Sequence, residues 1–287
     1  MSAKVYQIDS HAFPGGLAHI PDTPRKLYVR GSLPPEGTKF LTVVGSRALS
    51  TYGRQCLSYF FEGLRGYPIS IVSGLALGTD TKAHELALEN NLHTIAVPGS
   101  GISDNVLYPK SNRGLAQEIL ASGGALISEY PPEFRAQLWS FPKRNRIMAG
   151  IADVVFMIEA QERSGTLITA KMASEYNREL CTIPHSIFEQ NGKGPHQFLR
   201  LGATCVHTPE HILEALGITL LQDTHVTLRP LEERVLNLLT EPLQIEDMER
   251  NLHLPRSDVL QVVSALELKG LIGVVGGAYV QLRNKKT

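Results

Sequence analysis

From residue 40 onward the chain alternates between two hydrophobic rhythms. Short apolar runs rich in β-branched residues recur as F-L-T-V-V (40–44), I-S-I-V-S (69–73), H-T-I-A-V (93–97) and A-L-I-S-E (125–129), then D-V-V-F-M-I-E (153–159), L-C-T-I-P (180–184) and A-T-C-V-H (203–207). Their length and composition predict strands. Between them the pattern predicts helices over about 50–65, 80–90, 112–121, 144–149, 166–177, 197–200 and 209–215. Several runs are apolar at nearly every position, as strands covered on both faces must be. Seven strands alternating with helices predict an α/β fold: a mostly parallel sheet with helices on both sides.

The pattern changes at both ends. Residues 1–36 are rich in Pro and Gly and hold one short strand candidate, L-Y-V-R (27–30), so they read as a packed N-terminal extension to a core over 37–220. Polar residues Gln222, Asp223, Thr224 and His225 precede Pro230 and mark a linker over 221–229. In 230–287, helical spacing appears over 231–239, 245–252 and 257–269, the last opened by Pro255 and stopped by Gly270. L-I-G-V-V-G-G-A-Y-V-Q-L (271–282) then reads as a hairpin turning at Gly276-Gly277. Three helices and a hairpin predict a small winged-helix domain.

Charge alters the picture at one place. Lys plus Arg and Asp plus Glu both number 28, so net charge is zero and any nucleic-acid binding must use a local patch. Between Phe134 and Ala152 there is no acid, but there are Arg135, Lys143, Arg144 and Arg146, with Phe141 just before the last three. Cations neutralise phosphates, and a ring offers an unpaired base a face to stack on. The plainer alternative is a basic surface loop capped by a core Phe. Four small-residue loops favour the first reading: Gly45-Ser46-Arg47, Ser73-Gly74, Gly99-Ser100-Gly101 and Ser164-Gly165. Each follows a strand, so all lie at the carboxyl edge of the sheet, where backbone N–H groups at helix starts attract anions.

Other chemistry is poorly supported. There is no G-x-x-x-x-G-K-[ST], no G-x-G-x-x-G with a downstream acid and no G-x-S-x-G elbow, so no cofactor is expected. His207 and His211 are four apart, but no Cys/His/Glu set has metal spacing, and no metal is expected. Asp80 and His84 read either as an acid–base pair or, preferably, as a helix-start acid plus a packed imidazole. Glu129 and Glu159, at strand ends, read as catalytic carboxylates or, preferably, as groups that orient arginines and cap loops. Cys56, Cys181 and Cys205 are scattered and odd in number, there is no apolar leader, and no apolar run approaches a membrane span. These features point to a reducing cytoplasm and no membrane.

The strings V-V-G-S-R, S-G-L-A-L-G-T-D-T-K-A-H, V-P-G-S-G…Y-P-K-S-N-R, G-G-A-L-I-S-E-Y-P-P, F-P-K-R-N-R-I-M-A-G and R-S-G-T-L-I-T-A-K-M-A together resemble the DNA processing protein A (DprA, or Smf) family, over about 27–216. The last 60 residues or so resemble the winged-helix module of many members. The resemblance implies an extended Rossmann-like core and a dimer. It implies binding of single-stranded DNA in natural transformation, protection of that DNA, and loading of the recombinase RecA, without turnover of a substrate. Carried over by motif, Gly45, Ser46 and Arg47 would hold a phosphate. Ser73, Gly74, Gly99, Ser100 and Gly101 would line the same pocket with Ser164 and Gly165. Lys143 and Arg144 would take neighbouring phosphates, and Phe141 would stack a base, while Asn145 and Arg146 resemble scaffold. Ser100 stands where many members have Cys.

Two other functions compete. Nucleotide-monophosphate hydrolases of the lysine-decarboxylase-like group carry P-G-G-x-G-T-x-x-E; the nearest stretch here, Arg163 to Thr169, lacks Pro-Gly and has Thr169 at the Glu position. A duplex-binding regulator acting through the winged helix would leave the glycine loops without a role. Its candidate recognition helix is also electrically balanced, Arg256 and Lys269 against Asp258 and Glu267, which suits protein contacts better than a major groove.

Overall fold

The computed structural model describes residues 4–219, 229–239, 241–268, 271–275 and 278–281. Two compact units divide at Leu220/Leu221. The first unit begins with strands β1 (Val5–Ile8), β2 (Leu27–Gly31) and β3 (Lys39–Val44). Helix α1 (Thr51–Gly63), β4 (Ile69–Ser73), α2 (Thr79–Glu89), β5 (His93–Ala96), α3 (Arg113–Ala121) and β6 (Ala125–Ser128) follow. After them come α4 (Ser140–Ile151), β7 (Val154–Met157), α5 (Thr166–Glu175) and β8 (Glu179–Thr182). The unit closes with α6 (Lys193–Arg200), β9 (Thr204–Cys205) and α7 (Pro209–Ala215).

The nine strands form one sheet in the order β1-β2-β6-β5-β4-β3-β7-β8-β9. Pairings from β6 across to β9 are parallel, while β2 pairs antiparallel with β1 and β6. The N-terminal segment therefore contributes two strands to the sheet. V-Y-Q-I was not expected as a strand: it is a four-residue edge strand whose alternation is too short to stand out.

Side chains alternate across the pleat. Phe40, Val44, Val155 and Met157 pack on one face with Ile147 and Met148 of α4 and Ala170 and Ala173 of α5. Leu41, Val43, Val154 and Phe156 pack on the other with Leu57, Phe60 and Phe61 of α1 and Ile212 and Leu213 of α7. Both faces are covered, which is why these strands read as unbroken apolar runs.

The topology reverses between β3 and β7. The chain steps outward from β3 through β4 and β5 to β6, then returns to β7 on the opposite side of β3. Loops leaving β3 and β7 therefore part toward opposite faces and open a crevice at the carboxyl edge, the usual ligand position in such sheets.

One element differs from expectation in a way that matters. The helix expected over 144–149 starts at Ser140. Pro142 does not prevent this, because first-turn N–H groups have no intrahelical acceptor to lose. Phe141 and Lys143 thus stand on a helical first turn and not in a loop.

The second unit holds α8 (Pro230–Leu238), α9 (Ile245–Leu252), α10 (Arg256–Leu268) and the antiparallel strands β10 (Ile272–Val275) and β11 (Ala278–Gln281). An antiparallel bridge joins Leu243 to Tyr279. Its own core includes Val235, Met248, Val259, Val263 and Leu266. The expected linker residues Gln222 to His225, Lys269, and the turn at Gly276-Gly277 lie outside the described residues.

Candidate functional site

At the β3/β7 crevice lies a cavity of about 610 Å³. It is built from the loop after β3, the loop after β7 and the first turns of α4 and α5. Seven of the thirteen residues expected from sequence line it: Gly45, Ser46, Arg47, Phe141, Arg144, Ser164 and Gly165.

The loop after β3 is held by its neighbours. Thr79 donates to the Ser46 carbonyl from both its backbone N–H and its hydroxyl, each at 3.0 Å. Thr166 at the start of α5 donates to the Gly45 carbonyl at 2.9 Å. Gly78, the N-cap of α2, has φ +78°, and a Cβ there would lie 2.4 Å from the Ser46 and Arg47 carbonyl oxygens, so only glycine fits this approach. Glu159, buried at the end of β7, accepts from the backbone N–H of Ser50 (3.1 Å), the Ser50 hydroxyl and Asn191 (3.0 Å). Ser50 in turn accepts from Gly53 N–H and caps α1. Glu159 is a loop-capping carboxylate.

The cavity rim brings cations and aromatic rings together. Arg47 and Arg163 are exposed, and among the described residues neither has an ion pair. Arg47 stands over the Phe141 ring, 5.9 Å from its centroid, a cation–π contact that holds both groups at the rim. Tyr108 lies against Phe141 with centroids 5.6 Å apart. Leu138, 91% exposed, adds apolar surface. Lys143 is exposed on the same first turn of α4 but does not line the cavity.

Arg144 forms the floor. Only 6% exposed, it donates to the Val97 carbonyl and lies against Gly74, where a Cβ would come within 2.0 Å of Nη1. Burial, reinforced by the nearby Arg47 charge, pulls its pKa down to about 10. The one acid lining the cavity among the described residues, Asp80, accepts from the N–H groups of Gly74 (3.0 Å) and Ala76 (3.3 Å). Burial raises its pKa, and Arg144 and the two N–H groups oppose that shift. His84 is fully buried against Thr94 (2.8 Å), and burial lowers its pKa to about 3. Asp80 and His84 therefore act as a loop-holding acid and a packed imidazole, not as an acid–base pair.

The remaining expected residues stand behind the wall. Ser73 is fully buried and donates to the Val43 carbonyl (2.8 Å). Gly74 borders a smaller cleft beside the cavity. Gly99 backs Phe141, which a Cβ there would approach to 2.5 Å. Ser100 is buried with its hydroxyl on Gly101 (2.9 Å), and Gly101 N–H donates to Phe134 (2.8 Å). These four loops converge on one edge, but only two of them open into the cavity. Arg146 reaches Glu129 (2.6 Å) and Asp22 (3.0 Å), and Asn145 reaches the Gly165 carbonyl (3.4 Å). Both are scaffold, although Asn145 also lines the cavity.

Arg163, Tyr108 and Thr166 belong to the site and were not singled out for it from sequence. Each sat in a quoted string, R-S-G-T or Y-P-K-S-N, whose approach to residues 45–47 only the fold reveals. Among the described residues no three His, Cys, Asp or Glu side chains gather as a metal site would require, and no helix is long and apolar enough to cross a membrane.

Comparison with known proteins shows the family. The family model for DNA recombination-mediator protein A matches residues 4–217. Protein Smf of Escherichia coli (strain K12) is 38% identical over 288 residues, covering 96% of this chain and 76% of that protein. DNA processing protein DprA of Streptococcus pneumoniae (strain ATCC BAA-255 / R6) is 38% identical over 208 residues, 72% of each. A solved structure of DprA from Streptococcus pneumoniae superposes with a TM-score of 0.68 at 37% identity over 74% of each chain. DNA processing protein A from Helicobacter pylori, solved to describe its single-stranded DNA binding mode, superposes with a TM-score of 0.64 at 27% identity, over 75% of this chain and 98% of that one. A family model matched over most of the length, and relatives this similar over most of their own, place the conclusion beyond the fold alone: the chain belongs to the DNA recombination-mediator protein A family.

Proposed function

We propose that this chain binds single-stranded DNA at the β3/β7 cavity and serves as a recombination mediator in the cytoplasm. It protects incoming DNA during natural transformation and loads RecA onto it, as a homodimer. The observation that carries this reading is the gathering at one cavity of the Phe141 ring and two arginines, Arg47 and Arg163, that have no ion pair among the described residues. Arginines meet phosphates, and a ring face suits an unpaired base. The single-stranded DNA binding mode described for the Helicobacter pylori relative supports the choice of single-stranded DNA as the ligand. Binding without turnover is the reading for the chemistry: Glu129 is engaged by Arg146, Glu159 by Ser50, and Asp80 by backbone N–H groups. The C-terminal unit makes protein contacts in this scheme, since Arg256 is already paired with Glu246 at 2.7 Å.

Fluorescence anisotropy with labelled oligo-dT, competed by duplex of equal length at two salt concentrations, tests the proposal. Strong single-strand preference with a steep salt dependence is expected. Duplex preference would move the site to the C-terminal unit, and no binding to either would sink the reading. RecA loading is then measured as faster RecA filament growth on DNA precoated with single-strand-binding protein.

A further inference from the structure

Tyr108 lines the cavity, yet the proposed function gives it and the rest of Y-P-K-S-N (108–112) no task, although the geometry there is specific. Tyr108 is 50% exposed, while Leu107 just before it is 1% exposed and packs with Leu75 and Ile102. The turn is anchored beneath the ring and leaves the ring at the surface. Asn112, itself buried, clamps the turn: its side chain donates to the Leu75 carbonyl (2.9 Å) and to Thr81 (2.8 Å), and its N–H donates to the Pro109 carbonyl (3.1 Å). Arg113 adds a bond to the Leu107 carbonyl at 3.3 Å. Leu75 adjoins Ala76, which lines the cavity, so the clamp fixes Tyr108 relative to the cavity wall. The Tyr108 ring borders both the main cavity and the smaller cleft beside it, next to Arg47 and Phe141.

A half-exposed ring gains little from burial, so core packing does not account for this investment in a rigid turn. Two adjacent rings, tilted 56° with centroids 5.6 Å apart, beside a guanidinium with no ion pair among the described residues, suit two bases outside a duplex stack. We propose that Tyr108 is a second base-stacking residue of the site. It takes the base next to the one on Phe141, and the exposed Lys110 takes the adjoining phosphate. The proposal rests on the single-strand reading above.

The test uses the full chain and two labelled strands of equal length, oligo-dT and an all-abasic strand that keeps the phosphates. Tyr108→Ala weakens oligo-dT binding by about 5- to 100-fold, in line with loss of one stacked base. It leaves affinity for the abasic strand and the slope of log affinity against log salt unchanged, because no phosphate contact is lost. Tyr108→Phe keeps the ring and rescues binding. Tyr108→Leu keeps an apolar contact with Phe141 but no ring face, and carries the same expectation as Ala if the Ala variant melts early. Lys110→Ala flattens the salt slope by about 0.7. If wild-type chain binds oligo-dT and Phe141→Ala weakens it while Tyr108→Ala does not, the inference fails and the parent reading stands. Equal weakening on the abasic strand also overturns it, since Tyr108 would then only shape the turn. No binding by wild-type chain removes both.

Discussion

Three arginines of the C-terminal unit and two at the rim of the cavity meet opposite fates. In the C-terminal unit Arg229 pairs with Glu232 at 3.1 Å, Arg250 with Asp247 at 2.7 Å and Arg256 with Glu246 at 2.7 Å. At the β3/β7 cavity Arg47 and Arg163 are exposed with no ion pair among the described residues, and the one lining acid, Asp80, is occupied by backbone N–H groups. A chain with no net charge can therefore hold a strongly cationic site, because availability depends on where the acids are and not on how many there are. A surface ion pair contributes about 0–1 kcal/mol to stability, so the exposed Arg250–Asp247 and Arg256–Glu246 pairs do little for the fold, but each arginine already has an acid to balance it.

The sharpest way to break this contrast is to remove a cation from the floor instead of the rim. Arg144→Ala leaves the Val97 carbonyl and the Asp80 carboxylate without their buried cation, and should cost on the order of 3 kcal/mol in urea unfolding. Arg47→Ala, at the exposed rim, should stay within about 0.5 kcal/mol. Equal losses would show that floor and rim are not distinct.

Acid probes the buried layer of the core unit. An unfolded imidazole takes a proton near 6.5, whereas folded His84 takes none until about 3. The unfolded state binds the extra proton between those values, so stability falls as pH drops through that window, by at most about 1.4 kcal/mol per pH unit. Unfolding midpoints from pH 7 to 4 should fall less steeply in His84→Asn than in the parent chain.

On the binding side, Phe141→Ala should weaken oligo-dT binding by about 1–3 kcal/mol while the chain stays folded. Arg47→Ala, Arg163→Ala and Lys143→Ala should each flatten the log–log salt slope by about 0.7. Lys143 is the informative case, since it stands outside the cavity: an unchanged slope would confine the phosphate path to the arginines. The smallest effect belongs to the C-terminal unit. Arg256→Ala should leave the slope where it was and cost no more than about 1 kcal/mol of stability.

Much of this was legible in one dimension. Strand and helix alternation follows from residue periodicity, and Gly45-Ser46-Arg47 and Ser164-Gly165 announce themselves as small-residue turns at strand ends. The arginine-orienting role expected of Glu129 is present in its ion pair with Arg146. Other features could not be read. Arg144 looks identical to Lys143 in a string of cations, yet helical geometry turns Arg144 inward and leaves Lys143 outside. Ser73 and Ser100 look like ligand donors, yet their hydroxyls close on Val43 and Gly101.

By itself the sequence determined the α/β class, the small-residue loops at the carboxyl edge of the sheet, and a local excess of cations beside an aromatic. These depend on short-range periodicity and composition, which a linear reading contains. Only the tertiary structure decided which cations remain free, that Arg163 and Tyr108 join residues 45–47, and that Gly99 to Gly101 support the site from behind. Those outcomes depend on the strand order, which reverses between β3 and β7 and brings residues more than 100 positions apart across one crevice.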